Sequence, residues 1–554
     1  MFKLALVFPL RYKKFYINPL ILQKLQSMLH VFLAHNKIDI YLFDVNCENI
    51  WDKTDTKEFD LAIVDTPEGS ILDVFSALDH IRAKAILLVG DNITYGKSIE
   101  IIRKLSSDLS TKVYGVTEDI DAIIFVKRYL EDGYIEDGTR MLAFPDADRN
   151  ALLKTQAPME KYKLEFPKWI LDLYDKKGIQ IFMDGLSRGC ENTCSFCKLS
   201  NVGMSSVKCV KNSCVDVVET IRAIEKQCPK RLYIQFVDEN FFGGGLTRLL
   251  EIRKLCDGLT AIQFGGLIGI DTRLDTIINP KDTNEIALLR ESTWELLSEC
   301  GLKYCFIGIE TFSSSQAERY NKRLDLSQFD RAIAMLEKLN IRYTVGLIMW
   351  DPLMDKNELL HNLRFIEERS LLGKTASLLK CLRVQVNSQY FGKYKNMICE
   401  KGCSSDYFNI DEDDIHYYDD GIQKILPFVR YVYNLFSHCG YRHSDVACFG
   451  ALFDEKTPPI LKDIPYRIAW LEYETLQYLL KLEYSFQDDA VYCDLRAKSR
   501  TVVDVILTEL KVDDAIYDSS IEINTIRQYY LKVFNRISLA ITTLNDPTEL
   551  NVRT

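Results

Sequence analysis

The run Ser-Arg-Gly-Cys-Glu-Asn-Thr-Cys-Ser-Phe-Cys occupies residues 187–197 and places Cys190, Cys194 and Cys197 in a C-x-x-x-C-x-x-C spacing, with Phe196 just before the last thiol. Soft thiolate sulfurs on one short loop suit an iron–sulfur cluster. A closed cluster or a structural zinc site normally takes four protein ligands. Three from one loop leave one metal position for something that is not protein. A zinc knuckle with a distant fourth ligand, or three ordinary thiols, are the alternatives for the triad taken by itself.

Working outward, a strand–helix rhythm begins at Ile179. Strands are expected at Ile179–Met183, Leu232–Val237, Ala261–Gly266, Tyr304–Ile309, Tyr343–Met349 and Leu379–Val386, with helical patterns such as Val215–Gln227, Thr293–Cys300, Ser327–Leu339 and Asn357–Glu368 between them. Six such units predict a partial (β/α)6 TIM-type barrel with its chemistry at the carboxyl ends of the strands. The cysteine loop follows the first strand, where that geometry would put it.

Motif and topology together resemble the radical S-adenosylmethionine (SAM) enzymes, whose signature is this spacing with an aromatic residue before the third cysteine. The resemblance implies a [4Fe-4S] cluster on Cys190, Cys194 and Cys197. Its open iron would chelate SAM, and reductive cleavage would give a 5′-deoxyadenosyl radical that abstracts a substrate hydrogen. It extends to the strand ends. Asp238, Glu239 and Asn240 would hold the methionine part of SAM, where an ammonium needs acceptors, and Phe196 would stand beside the cofactor. Arg273, in Asp271-Thr272-Arg273, would pair the SAM carboxylate. Glu310, in Gly308-Ile309-Glu310-Thr311, would lie near the ribose, with Lys322 and Arg323 supplying a basic position. Arg273 and Glu310 are also the candidate catalytic residues. The apolar part of Met349-Trp350-Asp351-Pro352 reads either as packing for adenine or substrate, or as core.

Residues 1–140 alternate strands (Lys3–Phe8, Ile38–Phe43, Leu61–Asp65, Ala85–Val89, Lys112–Val116) with helical patterns (Pro19–His35, Ser98–Leu109), which predicts a doubly wound parallel sheet. Ligands of such sheets bind beyond the carboxyl strand ends, here carrying Gly90 and Glu118. A Rossmann-like domain ahead of the cysteine motif resembles the cobalamin-binding class of the superfamily, so cobalamin is a possible third cofactor. No Asp-x-His-x-x-Gly motif supplies a cobalt ligand. A sheet that binds nothing is the alternative. Methylthiotransferases carry three cysteines in their small α/β domain; here that region holds only Cys47.

Residues 141–178 read as a linker, 179–389 as the barrel and 390–554 as a helical, aromatic-rich domain that would close the barrel mouth over substrate. Cys399, Cys403, Cys439 and Cys448 could ligate an auxiliary cluster, but buried apolar cysteines are the simpler reading. One of them could instead donate a hydrogen atom.

At 554 residues two or three domains are expected. Hydrophobic residues at 47% and charged residues at 27% indicate a globular chain. A formal charge of −10 without a long basic run disfavours nucleic acid as a partner. The apolar run Leu4–Leu10 is broken by Pro9 and followed by Arg11, Lys13 and Lys14, so it reads as a strand rather than a signal segment or membrane span. A reducing cytoplasm is the expected compartment. The leading expectation is cobalamin-dependent methyl transfer to an unactivated carbon of a small-molecule or peptide substrate, with flavodoxin or ferredoxin as electron donor. The alternatives are a non-methylating radical enzyme (cyclase, dehydratase, dehydrogenase or epimerase) and a non-catalytic metal-binding scaffold.

Overall fold

The computed structural model describes residues 2–8, 16–17, 38–44, 58–66, 78, 81–89, 98–109, 111–116, 119–132, 140–142, 180–183, 185–188, 190, 192–197, 210–211, 213–228, 231–243, 245–386, 388–399, 410, 412–482, 488–511 and 521–543. The expected helix Pro19–His35, most of the proposed linker, Gly90, Glu118 and Cys403 lie outside them.

Short β-branched and leucine-rich runs build an N-terminal parallel sheet from β1 (Phe2–Phe8), β2 (Ile38–Asp44), β3 (Leu61–Asp65), β4 (Ala85–Val89), β5 (Lys112–Val116) and β6 (Arg140–Met141), in the order β2-β1-β3-β4-β5-β6. β3 and β4 are buried throughout. Alternation sends Leu4, Leu6, Leu61, Ile63 and Leu87 to one face, under Ala122–Val126 of the helix Asp119–Asp132. Ala5, Val7, Ala62, Val64 and Leu88 go to the other, under Ile101, Ile102 and Leu105 of the helix Ser98–Leu109. Helices on both faces of a parallel sheet make the doubly wound layer arrangement.

The second parallel sheet is the barrel wall: β7 (Gln180–Met183), β8 (Tyr233–Phe236), β9 (Leu267–Thr272), β10 (Leu302–Glu310) and β11 (Arg342–Leu347), in the order β11-β10-β9-β8-β7. Two expectations are corrected. The third strand is not Ala261–Gly266 but Leu267–Thr272: the helix Gly245–Ala261 runs to the start of that segment, and Gln263 turns the chain at φ 57°. The sixth strand of the sheet is Tyr16–Ile17, which pairs parallel with β7, and not Leu379–Val386. The latter segment makes a single-residue bridge from Cys381 to Trp350. Around its start the backbone groups bond elsewhere: Leu378 N–H donates to Glu472, Leu379 N–H to Ser377, and Leu378 C=O accepts from the Trp350 indole.

One contiguous core joins the outer face of the barrel to the C-terminal helices, which include Asp420–His438, Pro459–Lys481, Asp488–Lys511 and Ile521–Thr543. Buried Glu472 fastens the two by accepting from Ser377, Leu378 N–H and His443. The tail meets the barrel at its amino end too, where Ala447, Ala451 and Leu452 pack against Tyr233, Leu267 and Tyr304. No helix among the described residues is long and apolar enough to cross a membrane.

Candidate active site

The lumen face of the barrel changes character from floor to mouth. Above the aromatic floor, Gln180 Nε2 donates to Gln235 Oε1 at 3.0 Å and Gln235 Nε2 to Asp271 Oδ1 at 3.0 Å, a polar row across β7, β8 and β9. Gly269 makes the row possible, because a Cβ there would sit 2.1 Å from Gln235 Oε1. Burial, and then the Asp238 and Glu239 carboxylates, push the Asp271 carboxyl up to about 7.

The cysteine loop lies at the mouth, held by backbone. Ser195 N–H donates to Tyr320 C=O and Ser195 Oγ to Arg319 C=O, each at 2.8 Å, while Tyr390 N–H donates to Ser195 C=O at 2.8 Å. Asn321 Nδ2 bonds Thr193 O and Oγ1 at 2.9 and 2.8 Å. Beneath these anchors is a buried ionic tie. Arg319 grips Glu358 with two nitrogens (3.0 and 2.7 Å) and Asp351 at 3.0 Å, and the Tyr390 hydroxyl donates to Asp351. The loop is thereby fixed to strand ends and to the helix Gln389–Ile398.

Cys190, Cys194 and Cys197 are thiols, Cys194 the most buried. Burial pushes the Cys194 thiol up, while Lys322 and Arg273 pull it back and Glu310 and Cys190 raise it. Asn192 Nδ2 donates to Cys190 Sγ at 3.3 Å, and Arg273 Nη1 reaches Cys194 Sγ at 3.9 Å. Donors aimed at sulfur and cations beside it are what a cluster-bearing thiolate set calls for. Among the described residues no set of three or more His, Cys, Asp or Glu side chains is arranged to hold one metal ion.

The remaining expected residues divide. Asp238 is 1% exposed, and its Oδ1 accepts from Ser187 N (2.6 Å) and Oγ (3.2 Å), so this carboxylate braces the approach to the cysteine loop. Gly185 leaves it room, as a Cβ there would lie 2.0 Å from Asp238 Oδ2. Asn240 Oδ1 accepts from Thr272, and Glu239 is half-buried at the same strand end. Glu310 follows a register shift in β10 and takes φ 72°, left-handed backbone that costs a non-glycine residue on the order of 1–3 kcal/mol. Its Oε1 accepts from Lys322 Nζ at 3.2 Å. Lys322 is the basic residue brought to the site; Arg323 is exposed. Phe196 packs edge-on against Tyr320. Met349 and Trp350 are fully buried core, not cofactor packing. Cys399 is disulfide-bonded and Cys439 lies in the core, so neither supports an auxiliary cluster.

Asn192, Ser187 and the Gln180–Gln235–Asp271 row were missed from sequence. The row had a signal: glutamine at a lumen position of the otherwise apolar run Tyr-Ile-Gln-Phe.

The comparisons agree with this geometry. Residues 186–366 match the Radical SAM superfamily. This segment is similar to the domain that the superfamily shares. The chain is 26% identical over 313 residues to 4′-phospho-dehydrooxetanocin synthase of Priestia megaterium, a match covering 55% of this chain and 41% of that protein, so less than half of the relative's length. The chain superposes on the cobalamin-dependent SAM radical enzyme OxsB, solved with aqua-cobalamin bound, at a TM-score of 0.69 and 15% identity over 96% of this chain and 84% of that one. The radical SAM methyltransferase TsrM from Kitasatospora setae matches at 0.52 and 12% identity over 87% of this chain and 99% of that one. At these identities the likeness is one of fold, and it covers the N-terminal sheet and helical tail as well as the barrel.

Proposed function

We propose that this chain is a radical SAM enzyme with a [4Fe-4S] cluster on Cys190, Cys194 and Cys197, SAM at the barrel mouth and cobalamin beside the N-terminal sheet, and that it transfers a methyl group to an unactivated carbon. When bound, these cofactors supply a 5′-deoxyadenosyl radical and a methyl carrier. The observation that carries the reading is the cysteine loop itself. It is anchored at the carboxyl ends of a parallel barrel, with nitrogen donors aimed at two of its sulfurs.

The protein's residues position and shield. Ser195, Asn321 and Tyr390 fix the loop, and Asp238 braces its approach. Glu239 and Glu310 offer carboxylates toward an ammonium and ribose hydroxyls, with Lys322 holding Glu310 in place. The apolar floor of Tyr233, Leu267 and Tyr304 under Ala447, Ala451 and Leu452 would limit entry of water from below, as radical chemistry requires. For cobalamin, support comes from the doubly wound sheet and the likeness to OxsB. Gly90 and Glu118 remain the proposed contacts. An electron donor such as flavodoxin or ferredoxin and a cytoplasmic setting follow from the same reading.

A second reading has its own observation: the curated relative is named a synthase, not a methyltransferase, which favours radical chemistry without methyl transfer. The deciding experiment is anaerobic reconstitution with iron, sulfide, cobalamin, reductant and SAM carrying a labelled methyl group. 5′-Deoxyadenosine with label in product supports the first reading. 5′-Deoxyadenosine without label supports the second. No 5′-deoxyadenosine overturns both and leaves a metal-binding scaffold.

A further inference from the structure

We propose that Arg273 acts on the sulfur of Cys194 rather than on the carboxylate of SAM, as the charged donor that sets how readily a cluster on this loop accepts an electron. The inference rests on the cluster reading above and departs from the role that family resemblance gives this residue.

Three observations carry it. First, the side-on edge of the guanidinium, one of its two bidentate edges, is already taken by a carboxylate. Arg273 Nε and Nη2 bond Asp275 Oδ1 and Oδ2 at 3.0 and 3.1 Å, a fork-to-fork pair two residues along the chain. Second, that pair fixes the plane of the group and leaves Nη1 pointing inward, 3.9 Å from Cys194 Sγ. Third, the two ends of the pair differ in burial. The Arg273 side chain is 7% exposed and that of Asp275 is 36% exposed. The negative end is therefore screened by solvent, while the positive end acts on a buried sulfur through a medium of low dielectric.

Net charge and hydrogen bonds to the sulfurs tune the potential of an iron–sulfur cluster, because each stabilises the added electron. Asn192 supplies a neutral donor to Cys190. Arg273 supplies a cationic one to Cys194, the most buried of the three. The other nearby cation, Lys322, is matched by Glu310 at the site itself. Arg273 is thus the positive charge whose counter-ion faces solvent.

The test compares the anaerobically reconstituted full-length chain with Arg273→Gln, Arg273→Lys and Asp275→Asn. Midpoint potential is read by redox titration with electron paramagnetic resonance, and SAM affinity by equilibrium dialysis. Arg273→Gln should lower the equilibrium constant for reduction about tenfold, or about 59 mV for a one-electron couple, with SAM affinity unchanged. Arg273→Lys should recover most of that shift. Asp275→Asn, which removes the counter-charge, should move the potential the other way, and it decides the matter if Arg273→Gln retains no cluster. Unmoved potentials, or weakened SAM binding at an unmoved potential, overturn the proposal. A parent chain that assembles no cluster overturns this inference and the cluster reading together, whereas a parent with a cluster and unresponsive variants sinks only the role of Arg273.

Discussion

In the N-terminal sheet, Leu61–Asp65 and Ala85–Val89 are buried along their whole length, and each face feeds its own apolar cluster. In the barrel sheet, Tyr233–Phe236 and Leu267–Thr272 are also largely buried, but their apolar residues Ile234, Phe236, Ile268 and Ile270 face the helices. Their lumen positions hold Gln235, Gly269 and Asp271. The first pattern is what layer packing alone selects. The second gives up apolar contact for polar groups that must find partners inside the protein. Two parallel sheets of different strand order thus differ in what their interior residues are for, and the polar lumen marks the one that holds the candidate site.

The comparison can be broken or sharpened by experiment. The largest effect belongs to the cysteine loop: replacing Cys190, Cys194 and Cys197 together with alanine should reduce reconstituted iron and sulfide at this site to background. Retention of the full cluster would refute the assignment. Next comes Leu87→Ala in the apolar sheet. Leu87 has no exposed surface, and the loss should be about 2–5 kcal/mol by denaturant unfolding; a loss near zero would mean that this sheet is not packed as described. The smallest effect is the one that depends on pH. The Asp271 carboxyl, pushed up to about 7, binds its proton more tightly in the folded than in the unfolded chain. Stability tied to it is present below the unfolded value near 3.9 and is lost as pH rises through about 7. Asp271→Asn removes that loss, so it should gain on the order of 1–3 kcal/mol over the parent between about pH 5 and about pH 8. A variant whose difference from the parent does not change with pH would place Asp271 outside the buried row.

Much of this was legible in sequence, for stateable reasons. Leu61–Asp65 and Ala85–Val89 were read to the residue because short apolar runs between turn signals leave little choice of boundary. That Cys190, Cys194 and Cys197 share one loop after the first barrel strand, and that Glu310 closes an apolar strand, was legible from spacing and pattern. The third barrel strand slipped because the helix Gly245–Ala261 passes directly into apolar residues of similar character, and periodicity does not separate the two. Leu379–Val386 has a strand's composition, but the Glu472 carboxylate and Trp350 indole that occupy neighbouring backbone groups both lie far along the chain. Lys322 and Arg323 are adjacent, and only the fold decides which of them turns inward. The Asp275 fork on Arg273 is a local pair, yet its meaning depends on Cys194, which is distant in sequence.

One backbone hydrogen bond, Tyr390 N–H to Ser195 C=O, ties the cysteine loop to a helix far downstream in the chain. The seat of the three thiols is therefore complete only when that helix has docked, and a chain truncated before Gln389 would lack this anchor.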